Sequence, residues 1–216
     1  MSNKKYIFVD TETTGIDRNK ERLMEVACIE VVDRVATGLQ LHQYINPEQE
    51  VQQGAFRVHG ISWDKVKHEP KFAQVAERII EVLKGRVFVA HNASFDMGFL
   101  NVEFKRAGFD FQIGRDVEVL DTLKLAKEIY PWQKNNLDAL CNRLSIDRSS
   151  RVLHGALLDT QLLIQVYIAM TQKQERFSLA KSKAAEKALN LKVHAAGLSD
   201  EDARTHQAYL DSLSVK

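Results

Sequence analysis

The sequence is poor in the residues that mark secreted or membrane-bound proteins. It has two cysteines and three prolines among 216 residues. Cys28 and Cys141 lie far apart within apolar patterns, which excludes a disulfide framework or a zinc site and favours reduced core residues. No apolar run approaches the roughly 18 residues of a membrane span, and no apolar stretch of a secretory signal precedes Asp10. We therefore expect a cytoplasmic protein without a membrane segment.

Strong charge of either sign is also missing. There are 30 Lys and Arg against 29 Asp and Glu, a formal net charge of +1, so the whole-chain charge does not indicate a nucleic-acid binder. Any such function must come from a local site. The 44% of hydrophobic residues can bury a sizeable core, which excludes disorder throughout. The length suits one domain with an appendage.

Hydrophobic patterning in the first part of the chain predicts three strands. Residues 6–10 form a buried run that leads into a polar turn at 11–15. Alternation over 22–32 and 39–45 predicts two more strands, joined by a hairpin connection at 33–38. These strands are expected to form an antiparallel meander.

Strands and helices alternate in the next part. Helical spacing of apolar residues and short apolar runs predict helices over 71–84, 93–107, 122–129, 136–144 and 154–170, and strands over 86–90 and 118–121. This order predicts an α/β fold in which a mixed sheet has antiparallel strands first and parallel strands later, with helices on both faces.

The composition changes after residue 171. We interpret residues 1–172 as the main domain, 173–197 as a basic linker and 198–216 as a short helix. Ser199 and the acidic residues after it are typical of a helix start, and the apolar stripe beyond them is narrow. Such a helix fits one that orders on a partner; packing back on the domain is the alternative.

Four carboxylates stand at the ends of the predicted elements. Asp10 and Glu12 are two residues apart at the end of the first strand, which places them on one face of the sheet. Asp96 lies in the first turn of the helix after strand 86–90. Asp159 lies on the last long helix, five residues after His154. In a mixed sheet these positions can converge on one rim.

Their chemistry points to metal-assisted phosphoryl transfer. Carboxylates so close together cannot all ionise without a counter-charge, and oxygen ligands suit Mg²⁺ or Mn²⁺. Two such ions roughly 4 Å apart stabilise the attacking and leaving oxygens of a phosphoryl displacement. A neutral His154 can take a proton from the attacking water. Singly, each residue also fits a solvated turn or a helix-end charge; the combination and its order carry the signal.

Three motifs make the sequence recognisable. Residues 9–15 (VDTETTG), 91–100 (HNASFDMGFL) and 154–159 (HGALLD) resemble, in order and spacing, the motifs of the DnaQ-like exonucleases of the DEDDh type. The resemblance spans about residues 5–171. Residues 56–61 (FRVHGI) and 136–141 (NLDALC) make it most similar to the epsilon family, the proofreading subunits of bacterial DNA polymerase III.

The resemblance implies a ribonuclease H-like fold and 3′→5′ removal of nucleotides from DNA as 5′-monophosphates. It implies two divalent cations, one held by Asp10, Glu12 and Asp159 and the other by Asp10 and Asp96. His154 would be the general base. The residues implied in contact with the terminal nucleotide are Thr11, Glu12, Val58, His59, Phe95 and Asp159. The family pattern has an acidic residue where this chain has Gly54, so one substrate contact is missing or replaced.

The resemblance also implies partners beyond the 3′ end of DNA. In the epsilon family the C-terminal end binds the polymerase (alpha) subunit, which corresponds here to 198–216. Residues 174–179 (QERFSL) stand where a sliding-clamp peptide would be, although a basic linker with incidental apolar residues explains them equally well. Some relatives have a small accessory subunit, and nothing in this sequence identifies its surface.

Three other functions compete with this interpretation. A ribonuclease T-like enzyme that trims RNA 3′ ends has a similar length, but the tail after residue 171 argues against it. A non-catalytic binding module would be free to lose carboxylates, and none is missing here. A phosphatase or nucleotidase could use the same metals, but the motif match argues against it.

Overall fold

The computed structural model describes residues 4–149 and 153–172. Residues 1–170 form a compact unit of their own. The predicted linker, the clamp-like peptide at 174–179 and the predicted helix at 198–216 all lie outside the described residues. The boundary at residue 172 stays a prediction.

A five-stranded mixed sheet forms the centre of the fold. Its strands are β1 (Lys5–Thr13), β2 (Leu23–Val32), β3 (Val35–Tyr44), β4 (Val87–Ala90) and β5 (Val119–Asp121). They are ordered β3-β2-β1-β4-β5. The first three strands pair antiparallel, whereas β4 pairs parallel with both β1 and β5. The predicted mixed sheet is therefore confirmed.

Two predicted strand limits in the meander are wrong. β1 does not end at Asp10, because its pairing with β2 continues to Thr13, opposite Leu23. The connection between β2 and β3 is only Asp33 and Arg34, both with positive φ. A two-residue turn with both residues in the left-handed region matches the twist of a hairpin. The first residues of β3 are exposed, so no burial pattern announces them.

Helices cover both faces of the sheet. They are α1 (Gln53–His59), α2 (Trp63–Val66), α3 (Phe72–Leu83), α4 (Ser94–Arg106), α5 (Thr122–Ile129) and α6 (Leu137–Leu144), followed by α7, described over residues 156–172. The sequence did not predict α1 and α2. Both are short, and most of α1 is exposed, so neither shows the apolar periodicity of a packed helix.

Alternate residues of the strands enter two separate cores. Ile7 and Val9 of β1 belong to the cluster packed with α3 and α4. Phe8 and Ile29 belong to the cluster packed with Leu163 and other residues of α7. Both cysteines are buried, as predicted, and neither forms a disulfide bond. No helix in the described residues is long and apolar enough to cross a membrane.

Candidate active site

β1 carries the first two predicted site residues. Phe8 faces α7, and the period-two alternation of a strand places Asp10 and Glu12 on that same face. Glu12 is buried and Asp10 is half-buried. β4 pairs with β1 only over Tyr6–Phe8, whereas β2 pairs with it through Asp10 and Glu12, so β2 holds the backbone under these two carboxylates.

Asp96 reaches the same end of β1 from the other side of the sheet. α4 begins shortly after β4 ends, and Asp96 lies in its first turn, where the helix dipole favours a carboxylate. The Thr11 hydroxyl donates a hydrogen bond of 2.7 Å to Asp96 Oδ1. The side chain of Thr11, predicted to contact the nucleotide, thus joins Asp96 to β1.

Asp159 and His154 come from the start of α7. Asp159 is buried, and its Oδ2 lies 3.1 Å from His154 Nδ1. The backbone N–H of His154 donates to the Val58 carbonyl at 3.1 Å, which ties this loop to α1. One possible ligand atom each from Glu12, His154 and Asp159 lie within 4.8 Å of one another. The structure therefore brings the three predicted motifs together.

The electrostatics of this cluster favour a cation. Burial, followed by the charges of Asp96, Glu12 and Asp159, raises the pKa of Asp10 well above its ordinary value. Burial likewise raises the pKa of Asp96 to about 7, although hydrogen bonds from Thr11 oppose the shift. A divalent cation would remove this penalty, and hard carboxylate oxygens are the donors that Mg²⁺ and Mn²⁺ prefer. The donor set fits such ions.

The predicted nucleotide contacts differ in their accessibility. Val58 is exposed, and half-buried Phe95 lines a cleft of about 300 Å³ with Ile16 and Arg18. His59 is buried. Its Nδ1 accepts the Ile61 backbone N–H at 3.0 Å, and its Nε2 lies 3.2 Å from the Thr13 carbonyl. Burial lowers the pKa of His59, which favours the neutral ring. Nucleotide contact by these residues stays a prediction.

Some neighbours of the site were not predicted from the sequence. The main one is Glu25 of β2, a buried carboxylate opposite Glu12 in the strand ladder. Its signal was an acidic residue inside an apolar strand. Phe56 on α1 and Leu153, which lies against Gly60, add exposed apolar surface there; no periodicity distinguishes them from other surface residues.

Comparison with known proteins gives the family. An exonuclease family model, RNase_T, matches residues 7–167. The epsilon subunit of DNA polymerase III from Escherichia coli K12 is 37% identical, and the match covers 97% of this chain and 93% of that protein. The corresponding subunit of Rickettsia felis is 38% identical over 99% of this chain and 98% of that protein. That of Pasteurella multocida is 36% identical over 97% and 85%.

Solved structures support the fold. The E. coli exonuclease I complex with single-stranded DNA and zinc superposes with a TM-score of 0.71 at 22% identity. The match covers 80% of this chain but 42% of that one, so this chain spans about two fifths of the length of exonuclease I. An apo exonuclease I gives a TM-score of 0.70 and 20% identity, over 88% of this chain and 47% of that chain.

The family model and these relatives show a 3′→5′ exonuclease of ribonuclease H-like fold, a class of hydrolase that uses divalent metal ions. The chain belongs to the RNase_T exonuclease family, in the branch of the epsilon subunits of bacterial DNA polymerase III. These relatives favour DNA proofreading over the ribonuclease T-like alternative.

Proposed function

We propose that the protein hydrolyses the last phosphodiester of a DNA 3′ end with two Mg²⁺ or Mn²⁺ ions. Asp10, Glu12 and Asp159 would hold one ion, and Asp10 and Asp96 the other. The observation that carries the proposal is the convergence of carboxylates from β1, α4 and α7; burial, and then the charges of these neighbours, raise the pKa of Asp10. Ions bound there would act as Lewis acids and stabilise the attacking and leaving oxygens.

His154 is proposed as the general base. Its Nδ1 lies 3.1 Å from the buried Asp159 carboxylate, which favours the tautomer with the proton on Nδ1 and the lone pair on Nε2. Nε2 then takes a proton from water as the water oxygen attacks phosphorus. The bond from phosphorus to the 3′-oxygen of the preceding nucleotide breaks, and that oxygen takes up a proton. The products are a nucleoside 5′-monophosphate and a shortened strand.

The terminal nucleotide is proposed to lie between α1 and the start of α4. Phe95 precedes Asp96 on α4, and the Val58 carbonyl on α1 accepts the backbone N–H of His154. Both side chains are at least partly exposed. Apolar surfaces of this kind accept the ring of any base. That suits an enzyme that must remove any of the four nucleotides. The E. coli exonuclease I chain of this fold was solved with single-stranded DNA.

We further propose that the protein works within DNA polymerase III in the bacterial cytoplasm. The relatives that match over nearly their full length are subunits of that polymerase. Residues 198–216 would bind the alpha subunit, and 174–179 the sliding clamp. A small accessory subunit is a further expected partner. The net charge of +1 suits an enzyme whose partner delivers the DNA, since weak phosphate contacts give little affinity of their own.

The products test this proposal. Single-stranded DNA is incubated with the full-length protein and Mg²⁺, Mn²⁺ or EDTA, and the released nucleotides are separated by chromatography. We expect nucleoside 5′-monophosphates with either ion and none with EDTA. Asp159→Asn should release none, whereas Asp110→Asn, at an exposed ion pair with Arg115, should match the wild type. Release of nucleoside 3′-phosphates, or activity in EDTA, would contradict the proposal.

A further inference from the structure

A buried carboxylate outside the predicted set lies beside the site. Glu25 of β2 is 2% exposed and is the ladder partner of Glu12 on β1. Residues directly opposite each other in a ladder point to the same face of the sheet, so Glu25 faces α7, as Glu12 does. A buried carboxylate is costly unless its oxygens are hydrogen-bonded, so its partners show what it holds.

The two oxygens of Glu25 join two different elements. Oε1 lies 2.7 Å from Nε2 of His42 on β3. Oε2 accepts the backbone N–H of Ala156 at 3.1 Å. Ala156 is the first residue of α7, where backbone N–H groups have no partner within the helix. Glu25 supplies one from the sheet, and the helix dipole favours its negative charge.

This bond lies one helical turn before Asp159. The backbone N–H of Asp159 donates to the Gly155 carbonyl at 2.9 Å, so Asp159 moves with the segment that Glu25 holds. A second anchor, just before that segment, is the bond from the His154 backbone N–H to the Val58 carbonyl. A shift of α7 along the sheet would therefore change the separation of the Glu12 and Asp159 carboxylates.

We propose that Glu25, oriented by His42, is a positioning residue that sets Asp159 against Glu12. Glu25 acts through the Ala156 amide and does not touch the substrate. This inference rests on the proposed function, in which Asp159 holds a cation. Residues that orient ligands typically change metal affinity or activity 10–100-fold when they are removed.

The test compares Glu25→Ala with Glu25→Gln in the full-length protein. A glutamine can accept the Ala156 N–H through its oxygen and donate to His42 through its amide, provided that the His42 ring carries its proton on Nδ1. We expect Glu25→Ala to weaken Mn²⁺ binding, measured by calorimetry, about 10–100-fold and to lower kcat similarly, with KM for DNA within about twofold. Glu25→Gln should restore both to within a few-fold of wild type.

A metal-free measurement reads the contact directly. Hydrogen exchange at the Ala156 amide should accelerate in Glu25→Ala and stay near wild type in Glu25→Gln. The matched control is Glu30→Gln, a buried carboxylate of the same strand that pairs with Arg86 and Thr37 instead. It should leave Mn²⁺ affinity and Ala156 exchange unchanged. His42→Ala, which removes only the orienting ring, should give a smaller loss of Mn²⁺ affinity and of Ala156 protection than Glu25→Ala. It replaces Glu25→Ala in the test if Glu25→Ala does not fold.

Two results would overturn the proposal. One is wild-type Mn²⁺ affinity and Ala156 exchange in Glu25→Ala, or in His42→Ala if Glu25→Ala does not fold. The other is a Glu25→Gln variant as impaired as Glu25→Ala, which would show that charge and not placement matters. If Asp159→Asn is inactive while Glu25→Ala behaves as wild type, only this proposal fails. If Asp159→Asn stays active, the proposed function itself fails.

Discussion

Single residues in this site are held where ionisation is costly. Asp10 and Asp96 both have raised pKa values, with burial as the first cause and neighbouring carboxylates adding to it. Buried carboxyl groups of this kind are typical of functional sites, where a bound ligand offsets the cost of their ionisation. The histidine beside them differs, because the ring of His154 is partly exposed and can reach both water and Asp159.

Removal of the His154 ring tests its role as base. His154→Ala should lower kcat by roughly 10²–10⁴, as is typical of a general base, and leave Mn²⁺ affinity within about threefold. Steady-state kinetics and calorimetry measure the two effects, with exposed His68 changed to Ala as the control. Because the His154 ring lies within 4.8 Å of Glu12 and Asp159 oxygens, a large loss of Mn²⁺ affinity would instead make it a ligand.

The raised pKa values predict how stability depends on pH. Asp96 has a folded pKa of about 7 against an ordinary 3.8, so the folded state binds the extra proton. Its contribution to stability is full below about pH 4 and is lost as pH rises through 7. In EDTA, Asp96→Asn should flatten the fall in Tm between pH 5 and pH 8. Mn²⁺ should raise the wild-type Tm most at pH 8. If the wild-type Tm in EDTA instead rose from pH 5 to pH 8, and Asp96→Asn removed that rise, the account would be contradicted.

At the scale of elements, packed helices and buried strands could be predicted and exposed segments could not. α3 to α6 begin and end within one or two residues of prediction because each has a buried apolar side. α1 lacks a buried apolar side, so the sequence predicts Val58 as part of the site only through the family motif. Glu25 was missed because its partners, His42 and Ala156, come from distant parts of the chain.

Gly54 offers a prediction for α1. It is exposed within the helix, and a Cβ added there would meet nothing within 4 Å. Gly54→Ala should therefore raise the free energy of unfolding by about 0.5–1 kcal/mol, measured by denaturant titration. Gly60→Ala is the contrasting variant. Gly60 has a φ of +69°, and its Cβ would lie 2.5 Å from Leu153. Gly60→Ala should destabilise the protein; a gain in stability would refute this account of the turn.

At the scale of the whole molecule, the described unit contains all three motifs. The family model ends at residue 167, whereas the match to the Rickettsia felis subunit covers 99% of the chain. We therefore expect catalysis and partner binding to reside in different parts of the chain. Deletion of residues 180–216 should leave the rate on short single-stranded DNA within about threefold and abolish binding to the polymerase subunit in gel filtration. Binding that survives the deletion would contradict the role given to 198–216.

The direction and chemistry of cleavage test the central claim most directly. A single-stranded DNA labelled at its 5′ end is digested with Mg²⁺ and sampled over time, alongside Asp10→Ala and a matched RNA. We predict a ladder that shortens one nucleotide at a time from the 3′ end, much faster on DNA than on RNA and absent with Asp10→Ala. Trimming of RNA alone, or an unchanged ladder with Asp10→Ala, would contradict the account.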